Sequence, residues 1–199
     1  METIEYRTFD KTTWGDGPWQ SEPDKRQWTD QATGLPCLIA RSMLGCLCGY
    51  VGISPGHPLH GVDYNGLAPL PRDKIVNVLR SQGTLELYEH EIGAKLRTGE
   101  ILPAHGGITF SGDCQKGNAG EKICHAPALG EPDDVWWFGF DCGHADDLSP
   151  TMEAFLGRSF AELHGGSPIR RGRSVNYREI AYVEKECAEL ARMLEFIGR

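Results

Sequence analysis

No run of apolar residues in this chain approaches the roughly 18 positions that a membrane-crossing helix needs. Basic charge is also scarce. Twenty Lys and Arg stand against 28 Asp and Glu, a formal charge of -8. That balance excludes a protein that coats DNA or RNA through a broad basic face. It leaves room for a small anionic ligand held by a few local Arg residues. The opening Met1-Glu2-Thr3-Ile4-Glu5 lacks the basic start and apolar stretch of a secretory leader, so a cytoplasmic protein is expected. No internal repeat and no low-complexity tract occurs. The zinc spacings H-E-x-x-H and paired C-x-x-C are missing too, so no metal motif identifies a cofactor. The seven Cys are an odd number, a poor fit to a disulfide framework, and they are expected to be reduced.

What is present suits an ordinary core. Hydrophobic residues make up 40% and charged residues 24% of 199 positions, enough for one domain over 1–199. The most informative stretch runs from Asp134 to Asp147. Val135, Trp136, Trp137, Phe138 and Phe140 are strong strand formers. The apolar run then stops, and Asp141, Cys142, His144, Asp146 and Asp147 follow within seven positions. A strand that delivers polar groups at its end is a common way to hold a site.

Two further strands are expected at 37–41 and 46–53, around a turn at 42–45. A single helix over 36–48 competes, but the Gly residues at 45, 49 and 52 disfavour it, each costing about 1 kcal/mol against Ala. The loop Ser54-Pro55-Gly56-His57-Pro58-Leu59-His60-Gly61 follows the second strand. Residues 66–100 read as a helical insertion: Ile75, Val76 and Leu79 form one apolar stripe, Leu85, Leu87, Tyr88, Ile92 and Leu96 another, with Gly83 between them. A strand at 107–111 is entered through Gly106-Gly107, which permit close backbone approach beside His105. A long loop over 113–132 then leads to the Trp136 strand.

Ser149-Pro150 should open a helix running to about His164, the hydroxyl capping it. Asn176 with Glu179 forms a capping box for a last helix carrying Tyr177, Ile180, Val183, Cys187, Leu190 and Leu194 at helical spacing. The first 34 residues read as an arm pinned by Trp14, Trp19 and Trp28, or as a stacking wall for a planar ligand. The expected fold class is α+β: a mainly antiparallel sheet covered by central and C-terminal helices.

The chemistry concentrates on histidine. If strands 107–111 and 135–142 are antiparallel neighbours, as consecutive strands usually are, His105 and His144 fall at one sheet end. His57 joins them only if the 46–53 strand runs parallel to the Trp136 strand. Asp141 or Asp147 would orient an imidazole. Such a cluster can serve as general acid and base on a phosphodiester, or hold a divalent metal. Thr109 could donate to a phosphate oxygen, and Tyr50 and Trp137 are aromatic candidates for a ligand face. Arg170, Arg171 and Arg173 form either a phosphate-binding loop or a solvated one. Cys142 beside His144 could be a nucleophile, though a small buried Cys is the blander reading. Cys114, Cys124 and His125 could form a zinc site with Cys142 or His144.

The pieces PGHPLHG, HGGITFSG and WWFGFDCGHADD, with YREIAYVEKECAELA and the earlier GPWQSEPDKRQW, resemble a family of small bacteriophage and prophage proteins. The resemblance covers most of the chain except about 66–100. It implies a phage-encoded accessory protein made in the host cytoplasm, and it brings no activity and no catalytic residue with it. The expected function is binding and hydrolysis of a small phosphorylated or nucleotide-like ligand, such as a host signalling nucleotide. Sequestration of that ligand without turnover and a structural, partner-binding role are the alternatives.

Overall fold

The computed structural model describes residues 3–88, 96–125, 134–164 and 175–199, with only the helical backbone over 158–164. Six strands form one sheet: β1 (Ile4–Tyr6), β2 (Lys25–Thr29), β3 (Pro36–Arg41), β4 (Leu47–Ile53), β5 (Phe110–Asp113) and β6 (Trp136–Asp141). Their spatial order is β1-β2-β3-β4-β6-β5, and every pairing is antiparallel. Three α-helices complete it among the described residues: α1 (Arg72–Gln82), α2 (Pro150–His164) and α3 (Ile180–Gly198). This is the expected α+β class. No helix among the described residues is long and apolar enough to cross a membrane.

Alternation along the strands gives the sheet two different faces. Ile39, Val51, Phe138 and Phe140 point to the face covered by α3 and α1. From α3, Val183, Cys187, Leu190 and Leu194 are buried there, the helical stripe legible in the sequence, and Ile197 extends it. A fully buried Leu190 contributes about 1.5–3 kcal/mol by its burial alone. Truncation to Ala should cost about 2–5 kcal/mol once the cavity is included.

Leu38, Ala40, Cys48, Tyr50, Val135 and Trp137 point to the other face. The Tyr50 ring lies across Gly139 of β6, where a Cβ would sit 2.2 Å from it. Among the described residues no helix covers this side. Phe110, Cys114 and Ile123 pack on it instead, the last two from the loop after β5. Lys25 pins that loop: its ammonium donates to the carbonyls of Ala119, Lys122 and Cys124, the last two at 2.9 and 2.7 Å. A buried ammonium without a carboxylate needs such acceptors, and burial pushes the Lys25 pKa down to about 8.

Several local expectations are corrected. Residues 1–34 hold the Trp anchors, with Trp14 and Trp19 buried, but they also contribute β1 and β2 to the sheet. Both rings are packed into the protein and form no open stacking wall. The strand expected at 107–111 lies at Phe110–Asp113. Within 66–100 only α1 is α-helical among the described residues. It ends at Gly83, and short 3-10 turns follow at Leu85–Tyr88 and Thr98–Glu100. The stripe from Leu85 breaks because Leu96 and Arg97 pair with the 66–68 segment rather than continuing a helix. Ile92 lies outside the described residues.

Helix α2 starts at Pro150 as expected, but the side-chain caps differ. The Ser149 carbonyl accepts the Glu153 N–H at the head of α2, while its hydroxyl donates outside the helix, to the Leu44 carbonyl. Asn176 and Glu179 do not form a capping box. Asn176 bridges Asp147, and the α3 N-terminus is satisfied from afar, Ile180 N–H donating to the Glu22 carboxylate at 3.0 Å. Tyr177 precedes the helix. Cys114 and Cys124 form a disulfide within the loop, so the cysteines are not all reduced. The other five are buried and free.

Candidate functional site

The end of β6 and the start of α3 meet at one corner of the sheet. After Asp141 the chain turns, Asp141 Oδ1 accepting the Gly143 N–H at 3.0 Å. A second turn closes between His144 and Asp147, whose N–H donates to the His144 carbonyl at 2.9 Å. The next segment runs beside residues 146–148: Asn176 N–H donates to Asp146 O, and Leu148 N–H to Asn176 O. Arg178 is thereby delivered to Asp147, and Tyr182 follows one helical turn later.

His105 arrives from the other side. It precedes β5, and the antiparallel β5–β6 pair places that start beside the end of β6. The His105 and His144 rings stand edge to face, centroids 5.3 Å apart. Gly106 makes this contact possible. Its φ is +67°, and a Cβ there would lie 2.1 Å from His144 Cε1.

Asp147 is the hub, its side chain only 1% exposed. Oδ2 is 2.7 Å from His105 Nε2, 3.1 Å from the His144 N–H and 3.5 Å from His144 Nδ1. Oδ1 accepts from Arg178 Nε at 2.8 Å. Burial alone would raise the Asp147 pKa, but the bonds from Arg178, His105 and the His144 amide outweigh it and hold the carboxylate below its usual range. The same pairing raises the Arg178 pKa. His105 Nδ1 lies 2.9 Å from the Tyr182 hydroxyl, whose pKa burial raises. The Arg178 guanidinium stacks on the Tyr182 ring, 4.8 Å from its centroid.

His105 therefore has both ring nitrogens engaged. His144 differs. Its Nδ1 is buried without a hydrogen-bond partner, while the side chain is 37% exposed. One oxygen of Asp147 and one nitrogen from each imidazole lie within 4.8 Å of one another, close enough to share an ion.

Of the residues expected at the site, His105, His144 and Asp147 come together. His57 does not. Strand β4 runs antiparallel to β6, so its end at Ile53 pairs with Trp136 at the opposite sheet end. There His57 Nε2 bonds the Leu194 carbonyl at 2.8 Å. Asp141 serves its own turn rather than an imidazole. Thr109 is exposed and pairs with Gly139 through its backbone N–H. Trp137 is fully buried and presents no ligand face. Tyr50 is buried as well, but it lines a cavity of about 440 Å³ between the sheet, the N-terminal segment and the disulfide loop. Arg170, Arg171 and Arg173 lie outside the described residues.

Cys142 is buried in the α3-facing core, and burial pushes its thiol pKa up, the reverse of what a thiolate nucleophile needs. Cys114 and Cys124 are joined to each other, so they are not thiolate ligands, and neither Cys142 nor His144 stands with them and His125. Arg178 and Tyr182 were missed. Their i,i+4 spacing at a helix start was the available signal, but that segment was read only for its cap pair, Asn176 and Glu179, and its apolar stripe, and neither includes them. No protein-family model, no curated protein and no solved structure matches the chain.

Proposed function

We propose that the protein binds a small phosphorylated or nucleotide-like ligand at the His105–Asp147–His144 cluster and hydrolyses it. The observation that carries this reading is the convergence of two imidazoles on one buried carboxylate at a solvent-open corner. His144, the more exposed imidazole, meets the ligand. Asp147 and the Gly106 backbone hold it in place. An imidazole so held removes a proton from water as the water attacks phosphorus. The Tyr182 hydroxyl, which its raised pKa keeps protonated, donates to the leaving oxygen and recovers a proton through His105. Arg178 balances the charge of Asp147 in a protein of net charge -8.

The resemblance to bacteriophage proteins makes a host signalling nucleotide, a cyclic dinucleotide or an ADP-ribose derivative, the first substrate to try. A second reading, retention without turnover, is favoured by the cavity beside Tyr50, which shares no lining residue with the cluster.

Incubation with a nucleotide panel, followed by chromatography before and after heat release, separates these readings. New products that vanish in His144→Ala, with little change in melting, support hydrolysis. Intact ligand recovered only on heating supports retention. A panel left unbound and unchanged refutes both.

A further inference from the structure

We propose that His105, His144 and Asp147 form a binding site for one divalent transition-metal ion of the zinc or cobalt type. The proposal deepens the reading above by naming a cofactor for the same corner, but its test needs no turnover.

Three observations carry it. The first is spacing. Ions of this type bind imidazole nitrogen and carboxylate oxygen at about 2.0–2.1 Å, which puts neighbouring ligand atoms about 2.9–3.4 Å apart in octahedral and tetrahedral shells. The Asp147 Oδ2 distances to His105 Nε2 and His144 Nδ1 are 2.7 and 3.5 Å, on either side of that interval. One nitrogen of each imidazole and one oxygen of Asp147 lie within 4.8 Å of one another.

The second is an unmet need. His144 Nδ1 is buried and lacks a hydrogen-bond partner, although it faces Asp147 Oδ2. A buried polar atom left alone is costly, about 1–3 kcal/mol, and an ion between these atoms would satisfy it.

The third is the surrounding support. Metal-bound histidines usually hold their other nitrogen in a hydrogen bond, and ligating carboxylates are held likewise. Here Tyr182 takes His105 Nδ1 and Arg178 takes Asp147 Oδ1, while Nε2 and Oδ2, which also accepts the His144 N–H, face each other and would exchange their mutual bond for the ion.

Three protein ligands leave an open position, the pattern of catalytic rather than structural sites. With the ion bound, activation of water passes from the His144 imidazole to the ion, which lowers the pKa of the water it holds. The chemical class is a hard, oxygen-rich ligand such as a phosphate ester, placed on the open position.

The test is titration of the full chain, stripped with a chelator and dialysed, with Co2+ followed by Zn2+. One Co2+ per chain is expected, at a Kd of about 10 μM or tighter. Its visible bands should lack strong sulfur-to-metal charge transfer, and Zn2+ should displace them. Tyr182→Phe should weaken binding about 10-fold, as removal of such a supporting group commonly does. His144→Ala and Asp147→Asn should each weaken it more. His144→Gln is the fallback should either variant melt early without metal. The Cys114→Ser/Cys124→Ser protein should bind as the parent does.

Absence of binding, binding unchanged in His144→Ala and His144→Gln, or sulfur charge transfer from the bound Co2+ would each overturn the proposal. Nucleotide turnover that persists in chelator, with no Co2+ bound, would overturn it too while leaving the hydrolase reading intact. Stoichiometric Co2+ without turnover of any nucleotide would support the ion and remove the hydrolase reading.

Discussion

Gly106 and Gly107 offer a matched pair of substitutions that separate backbone strain from displacement of the site. Both have positive φ, +67° and +94°. Alanine at either position meets the left-handed penalty of about 1–2 kcal/mol. For a chain of this size that corresponds to a fall of about 2–8 °C in melting temperature. The difference lies in what the new methyl group meets. At Gly107 nothing lies within 4 Å, whereas at Gly106 the His144 ring is 2.1 Å away and ordinary contact begins near 3.4 Å. The ring must therefore move by about 1.3 Å. A misplacement of about 1 Å at a reacting group can lower a rate about 100-fold. Gly106→Ala should then shift the His144 and His105 imidazole NMR resonances and lower turnover about 100-fold. Gly107→Ala should lose similar stability and leave both nearly unchanged. Equal site effects in the two variants would refute the argument that Gly106 is required as a seat for His144.

Arg41→Met should be the most damaging single change outside the apolar core. The Arg41 side chain is fully buried and donates to Asp24, Glu22, the Tyr177 hydroxyl and the carbonyls of Gly45 and Pro23, so its loss takes the guanidinium from two carboxylates and leaves Asp24 with Lys11 and Glu22 with the Tyr177 hydroxyl and the Ile180 amide. About 3–5 kcal/mol lower stability is expected by urea denaturation. Removing the Cys114–Cys124 disulfide, which spans 10 residues, should cost about 2–3 kcal/mol by loop entropy, seen as a lower urea midpoint for Cys114→Ser/Cys124→Ser. Lys25 gives a pH signature. Its folded pKa of about 8 lies below the ordinary 10.5, so between those values the unfolded chain holds a proton that the folded chain has released. Stability from this group therefore rises with pH across that window, by at most about 3 kcal/mol. Wild type minus Lys25→Met should show that rise between pH 8 and 10, while a flat difference would contradict the lowered pKa.

The parts of the fold legible in the sequence were those set by local pattern. The β3–β4 pair was readable because Gly45, Gly49 and Gly52 argued against a helix, and α3 because its apolar residues recur at helical spacing. The meeting of His105 and His144 followed from one rule about consecutive strands. The exclusion of His57 turned on the direction of β4 against β6, a pairing of strands more than 80 residues apart. No local signal encodes that. The acceptor at the α3 N-terminus was hidden for the same reason, because it is the carboxylate of Glu22, 158 residues before Ile180. Arg178 was hidden by its place between two features that already had explanations. The disulfide was missed because a compartment argument was applied to all seven cysteines at once, and the fold joins only the two that one loop brings together.

That α3 covers β3 and β4 has a consequence for how the chain is made. During synthesis all six strands leave the ribosome before residue 180 does. Until then Ile39, Val51, Phe138 and Phe140 lack α3 to pack against, and much of the sheet's apolar face is uncovered. At about 5–20 residues per second, the interval from the end of β6 to the end of α3 lasts seconds. Strand pairs and helix contacts of such long sequence separation also form slowly. Chaperone capture during translation should therefore be heaviest for nascent chains whose emerged part ends between residues 141 and 180.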